Sequence, residues 1–245
     1  MNVMNYIQER VKRGKMHMTL IDPAEQSPKE AAELAYEAYL AGTDALMIGG
    51  STDLTRELMD KTIMAIKSKV NLPVIIFPNG ADVISKHADA IYFMSLLNST
   101  CLNFVIRQQV MGAPLIKKLG LETIPMGYII VEPGMTAGKI GKAEVIKRDD
   151  IERAVAYALA AQYLGMKLVY LEAGSGAPEP VPVEMVRKVK EEIDIPLVVG
   201  GGIRTPEAAR NLSKNGADII VTGTIVEEVK NIRESLGKII RAIKE

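Results

Sequence analysis

Two stretches near the C-terminus, VVGGGIRT (198–205) and VTGTIVEE (221–228), decide the reading of this chain. Each is a short apolar run that ends in glycine and is followed by a helix start. Glycine lets a backbone approach a ligand closely and adopt positive φ. The helix N-termini that follow present unpaired N–H groups and the positive end of a dipole to an anion. Two such loops in succession match the phosphate site that a parallel barrel builds after its seventh and eighth strands. A plainer reading stands beside this one, in which Gly200, Gly201, Gly202 and Gly223 merely make tight turns.

Working outward, β-rich apolar runs alternate with amphipathic segments from end to end. The runs fall at 16–21, 45–48, 74–77, 90–94, 126–131, 168–171, 197–199 and 219–222. Several are almost continuously apolar, as strands covered on both faces should be. Ser27-Pro28 and Thr205-Pro206 each place a capping hydroxyl before a proline suited to the first helical position. GTDALMIGG (42–50) and GADIIVTGT (216–224) form a weak internal repeat, each a helix end, an apolar strand and a glycine-rich loop. The expected architecture is a (β/α)₈ TIM barrel in one domain spanning 1–245, with parallel strands joined by right-handed crossovers. The stretch 78–89 is short for a full crossover, so the third helix should be reduced. Ahead of strand one, Met4, Ile7 and Val11 share a helical face and should lie across the barrel floor.

Composition narrows the function. The 245 residues are 48% hydrophobic and 24% charged, with 30 basic and 30 acidic side chains. A neutral chain with 4% aromatics lacks the basic, base-stacking surface of a nucleic-acid binder. Cys101 is the one cysteine, which excludes an internal disulfide. There is neither a signal-like N-terminus nor a membrane-length apolar run, and the cytoplasm is the expected location.

The chemistry-bearing residues gather at predicted strand ends. In YLEAGSGA (170–177), Gly174, Ser175 and Gly176 can add N–H and hydroxyl donors to the phosphate site. Glu172 is an acid among apolar strand residues. Pointing inward, it would be desolvated and suited to proton transfer; pointing outward, it would pair with a helix. Asp22-Pro23 ends strand one and Gly49-Gly50-Ser51 ends strand two, and this pair is placed across the barrel from the phosphate loops. A carboxylate and a hydroxyl there could hold Mg²⁺, which favours oxygen ligands and keeps waters and substrate phosphates. Equally, Asp22 could be a turn former and Ser51 a helix cap. His17, opposite in parity to Asp22, should face a helix and be structural. Met94, Met111, Met126 and Met135 read as core filler.

HMTLIDP (17–23), MIGGS (47–51), GYIIVEPGMTAG (127–138), YLEAGSG (170–176), VGGGIR (199–204) and VTGT (221–224) together resemble the geranylgeranylglyceryl phosphate synthases. That family is similar to the bacterial heptaprenylglyceryl phosphate synthases. The resemblance runs from about 16 to 228, and the combination around His17, Tyr170 and Gly127 is far more specific than VGGGIR alone. It implies a prenyltransferase that joins geranylgeranyl diphosphate to the C3 hydroxyl of sn-glycerol 1-phosphate, an early step in ether-lipid biosynthesis. It implies that Tyr170, Leu171, Glu172, Ala173, Gly174, Ser175 and Gly176, with Gly201, Gly202, Gly223 and Thr224, hold glycerol phosphate. Asp22 and Ser51 would bind Mg²⁺, and Glu172 would take the attacking hydroxyl's proton. Some members carry lysine two residues before the aspartate; this chain has Leu20 there. A homo-oligomer is implied, a hexamer favoured over a dimer.

An apolar groove from Phe93, Leu96, Leu97, Phe104 and Ile106 is expected to hold the prenyl tail, with Phe104 or Ile106 closing its far end. The rivals are a heptaprenyl enzyme, a phosphosugar isomerase or synthase barrel, and a non-catalytic barrel that senses a phosphorylated metabolite.

Overall fold

The computed structural model describes residues 2–50, 54–223 and 231–245. Its eight parallel strands close into a barrel in sequence order: β1 (Met16–Ile21), β2 (Ala45–Ile48), β3 (Val74–Ile76), β4 (Ala90–Leu96), β5 (Glu122–Ile130), β6 (Leu168–Glu172), β7 (Leu197–Gly200) and β8 (Ile219–Thr222). β1 pairs with β8 from Met16↔Ile219 to Thr19↔Thr222, which completes the ring. Helices α2 (Pro28–Ala41), α3 (Arg56–Lys67), α4 (Gln108–Leu119), α6 (Ile151–Tyr163), α7 (Val183–Glu192), α8 (Pro206–Lys214) and α9 (Ile232–Lys244) surround it. The two hydroxyl–proline starts behave as their chemistry requires. Ser27 forms a reciprocal capping box with Glu30, and the Thr205 side chain accepts from the Ala208 N–H.

Every predicted strand is present, and the ends show what blurred them. β5 begins at Glu122, four residues before its apolar run, because the Glu122 carboxylate accepts the Val3 and Met4 N–H groups at 2.6 and 2.8 Å. That contact seats α1 (Val3–Arg13) across the floor, with Val3, Met4 and Ile7 buried against Met16 and Met18 inside the barrel. The third crossover is a single 3₁₀ turn, Ala81–Val83, as its length dictated. The fourth opens with one π turn, Asn103–Arg107, running into α4, and a short α5 (Met135–Ile140) follows β5.

Alternation along each strand sorts side chains into layers. Met16, Met18, Ile124, Met126, Leu168 and Tyr170 fill the barrel, while Val169, Leu171 and Val199 face the helices. His17 faces outward and is buried. Its Nδ1 lies 2.9 Å from Thr43 Oγ1 and its Nε2 lies 2.9 Å from Thr222 Oγ1, the last residue of β8. Met111 departs from the core-filler reading: it is on the solvent face of α4.

Burial holds the His17 imidazole neutral, lowering its pKa to about 3; Lys244 acts in the same direction and Asp44 opposes both. Between the ordinary value of 6.5 and about 3, the unfolded chain therefore binds a proton that the folded chain refuses. Stability from this residue is complete above pH 6.5 and declines as pH falls, by at most about 1.4 kcal/mol per pH unit. Urea unfolding at pH 7 and pH 5 should show a smaller loss for His17→Gln than for the unsubstituted chain. Identical losses in the two proteins would contradict the assignment.

Candidate active site

Glu172 ends β6 with the same inward parity as Leu168 and Tyr170. Only 6% of it is exposed, and its carboxylate accepts the Gly174 N–H at 2.7 Å and a hydrogen bond from the Tyr170 hydroxyl. Desolvation is the largest influence on it and raises its pKa; the two hydrogen bonds hold the rise in check. The same burial, with the nearby Glu172 charge, keeps the Tyr170 phenol protonated. Gly201 is what lets this acid fit. A Cβ there would lie 2.4 Å from Glu172 Oε1 and 2.6 Å from Gly174 N, and its φ of +84° is one that few other residues adopt.

Above Glu172 lies a small pocket of about 40 Å³. Tyr170, Glu172, Ser175, Gly201, Gly202 and Gly223 line it, so most of the predicted phosphate-loop residues do converge. Leu171 and Ala173 turn their side chains into the outer core and leave only backbone near the loops. Thr224 lies outside the described residues. Arg204 also lines the pocket, and its Nη1 donates to Ala177 O at 2.6 Å. This cation was missed in the sequence, where it read only as the end of a glycine motif.

A second, larger cavity of about 420 Å³ adjoins the first, and Leu20, Glu172, Ser175 and Gly223 belong to both walls. It is a groove with an acidic end at Asp22 and Glu25 and a mainly apolar remainder. Phe93, Leu96 and Phe104 line it as expected. Leu97 and Ile106 do not. Leu97 packs into the outer core against β5, where a Cβ on Gly127 would meet it at 2.9 Å, and Ile106 is 49% exposed. Ile84, Ile91, Gly112 and Ile116 were missed. Ile91 and Phe93 point to the helix layer, and they are open to the groove because a 3₁₀ turn stands where a full third helix would have covered them. The short segment 78–89 was the available signal.

Asp22 follows β1 and is half-buried. Desolvation raises its pKa, the Ala24 N–H at 2.9 Å opposes the rise, and the Glu25 charge adds to it. A Cβ on Gly50 would lie 1.8 Å from Asp22 Oδ2, so the loop after β2 must carry glycine there for the carboxylate to reach the groove. Ser51 lies outside the described residues. No group of three His, Cys, Asp or Glu side chains that could hold a metal exists among the described residues. Asp22, with Glu25 near enough to raise its pKa, offers carboxylate oxygen of the kind Mg²⁺ favours; the remaining ligands would be waters and substrate phosphate. The position of Asp22 differs from expectation in one respect. Closure of the barrel makes β1 the neighbour of β8, so Asp22 flanks the phosphate loops rather than facing them across the barrel. What separates the two is the Leu20 wall: Asp22 lines the groove and not the small pocket.

Comparison with known proteins agrees with this geometry. Residues 5–245 match the PcrB family. The geranylgeranylglyceryl phosphate synthase of Picrophilus torridus is 55% identical over 243 residues, 99% of this chain and 100% of its own length. That of Thermoplasma acidophilum is 54% identical over 245 residues, covering 100% of this chain and 97% of its own. The crystal structure of the Thermoplasma acidophilum (S)-3-O-geranylgeranylglyceryl phosphate synthase in complex with its substrate sn-glycerol-1-phosphate superposes with a TM-score of 0.97, covering 100% of this chain and 99% of that one at 53% identity. With a family match over nearly its whole length and relatives above half identity, this chain belongs to the PcrB family of geranylgeranylglyceryl phosphate synthases.

Proposed function

We propose that the protein transfers a geranylgeranyl group from its diphosphate to the C3 hydroxyl of sn-glycerol 1-phosphate, with Mg²⁺ at Asp22 and Ser51. The observation that carries this reading is the shared wall. A small pocket edged by Gly201, Gly202, Gly223 and Arg204 and a larger, mainly apolar groove meet at one buried acid, Glu172. A phosphorylated alcohol in the first and a prenyl chain in the second would be brought together there.

The small pocket supplies the acceptor's anchor. Backbone N–H groups of Gly201, Gly202 and Gly223, the α8 N-terminus and Arg204 would face its phosphate, and Arg204 would supply the positive charge that Leu20 cannot. The glycerol then extends toward Glu172. Its C3 oxygen attacks C1 of the prenyl group, the bond from C1 to the diphosphate oxygen breaks, and the electron pair leaves with diphosphate. The hydroxyl proton passes to Glu172, which Tyr170 and the Gly174 N–H hold in place. Mg²⁺, when bound, would neutralise charge on the departing diphosphate. Asp22 holds that end of the groove, and the apolar side chains beyond it exclude water from the reacting carbon. Each buried CH₂ of the tail contributes roughly 0.8 kcal/mol, so the groove dominates donor affinity. Homo-oligomeric assembly, as a hexamer in preference to a dimer, belongs to the same proposal.

Glu172→Gln keeps the shape of the acid but cannot accept a proton. Its kcat should fall about 10²–10⁴-fold with little change in either KM. The base must be ionised, so activity should rise as pH climbs through the raised Glu172 pKa, and the variant should lack that limb. Near-wild-type turnover would remove the assignment.

Asp22→Asn should weaken use of the prenyl diphosphate and increase the Mg²⁺ needed, while calorimetry finds glycerol phosphate binding nearly intact. Loss of glycerol phosphate binding would show that the Leu20 wall does not divide the two substrates.

Chain length should follow volume in the groove. Phe104→Ala should admit donors longer than twenty carbons, assayed with a ladder of prenyl diphosphates, and Ile106→Ala should leave the profile unchanged. A changed profile in the second variant, or none in the first, would move the far wall elsewhere.

A further inference from the structure

Beside the groove the protein exposes an apolar strip that the reaction does not use. Leu102, Ile106 and Val110 follow one another at four-residue spacing along the π turn and α4, and are 57%, 49% and 63% exposed; Met111 beside them is 61% exposed. Phe104, Gln108, Gln109 and Gly112 of the same segment line the groove. Strip and groove wall are therefore two sides of one helical stretch. Across the groove, Ile140 of α5 both lines it and is exposed. The two flanks are tied together, since the Thr100 N–H donates to Lys142 O at 2.9 Å and Ser99 bridges to Ala143.

Charge is distributed unevenly here. The whole chain balances 30 basic against 30 acidic residues, yet 101–121 and 135–143 contain no acid at all. Arg107, Lys139 and Lys142 are exposed in these segments and join no ion pair among the described residues. Apolar side chains interleaved with uncompensated cations fit one kind of surface, an anionic lipid interface. There the apolar groups enter the headgroup boundary and the cations meet lipid phosphates. A second copy of the chain fits less well. A two-fold contact sets a patch against itself, and these cations would then face one another with no acid between them. No helix among the described residues is long and apolar enough to cross a membrane, so the contact would be peripheral.

We propose that Leu102, Ile106, Val110 and Met111, with Arg107, Lys139 and Lys142, seat the protein reversibly on an anionic membrane surface with the groove opening at headgroup depth. A donor with a diphosphate head and a long apolar tail could then enter the groove without its tail crossing water, and the product could leave the same way. The proposal rests on placing the prenyl tail in the groove.

Vesicle flotation tests it without needing turnover. The full chain should bind vesicles of phosphatidylcholine mixed with phosphatidylglycerol at least about tenfold better than phosphatidylcholine alone, and added salt should weaken that binding. The double variant Leu102→Glu, Val110→Glu should lose binding to both vesicles at least tenfold, yet turn over detergent-dispersed geranylgeranyl diphosphate normally. Arg107→Glu with Lys142→Glu should lose the preference for the anionic vesicles. Unchanged flotation of either double variant, or no flotation of the wild type, would overturn the proposal. So would a shift of the Leu102, Val110 variant to a smaller species in sedimentation, which would mark the strip as a subunit contact. Failure of wild-type turnover in detergent would instead count against the prenyl-transfer reading.

Discussion

Burying a carboxylate inside a barrel is unfavourable unless its oxygens find donors. The top of this barrel is arranged around the Glu172 carboxylate. The Tyr170 hydroxyl two residues earlier and the Gly174 N–H two residues later both bond to it, so β6 and its own loop satisfy the charge locally. That solution fixes what the neighbours can be. Gly201 has no room for a side chain against Oε1, and Gly174 adopts a φ of +102° to aim its N–H inward. The glycines that read as phosphate binders are thus also required by packing.

Closure of the barrel supplies the second constraint. Because β1 pairs with β8, Leu20 and Gly223 meet at the top, and that contact divides one mouth into a small glycine-edged pocket and a larger, mainly apolar groove. Below the same seam, on the outer face, the buried His17 links Thr43 beside β2 to Thr222 at the end of β8. The third constraint is an omission. With only the 3₁₀ turn at Ala81–Val83 in place of a third helix, Ile91 and Phe93 form part of the groove wall and add to its apolar lining.

Much of this was legible in the sequence for definite reasons. Strands buried on both faces are nearly uninterrupted apolar runs, so all eight could be placed, and three of them, β1, β2 and β8, at their observed bounds. Glu172, Gly201, Gly202 and Gly223 were found because charge and glycine are conspicuous at strand ends. Contacts set by distant partners were not legible. The early start of β5 depends on Glu122 meeting α1, more than a hundred residues away in sequence. Apolar character alone misled beyond the end of β4: Leu97 and Ile106 look as apolar as Phe104, but one turns into the outer core and the other to solvent. Asp22 was set across the barrel from the phosphate loops because strand numbers one and eight look far apart, although a ring makes them neighbours.

The account stands or falls on where the acceptor hydroxyl lies relative to Glu172. A crystal structure with sn-glycerol 1-phosphate and an unreactive thio analogue of geranylgeranyl diphosphate bound together would measure it directly. The account predicts phosphate in the Gly201–Gly223 pocket, the prenyl tail past Phe93 and Phe104, and the C3 oxygen within about 3 Å of a Glu172 oxygen. A C3 oxygen turned away from Glu172, or a prenyl tail lying outside the groove, would contradict it.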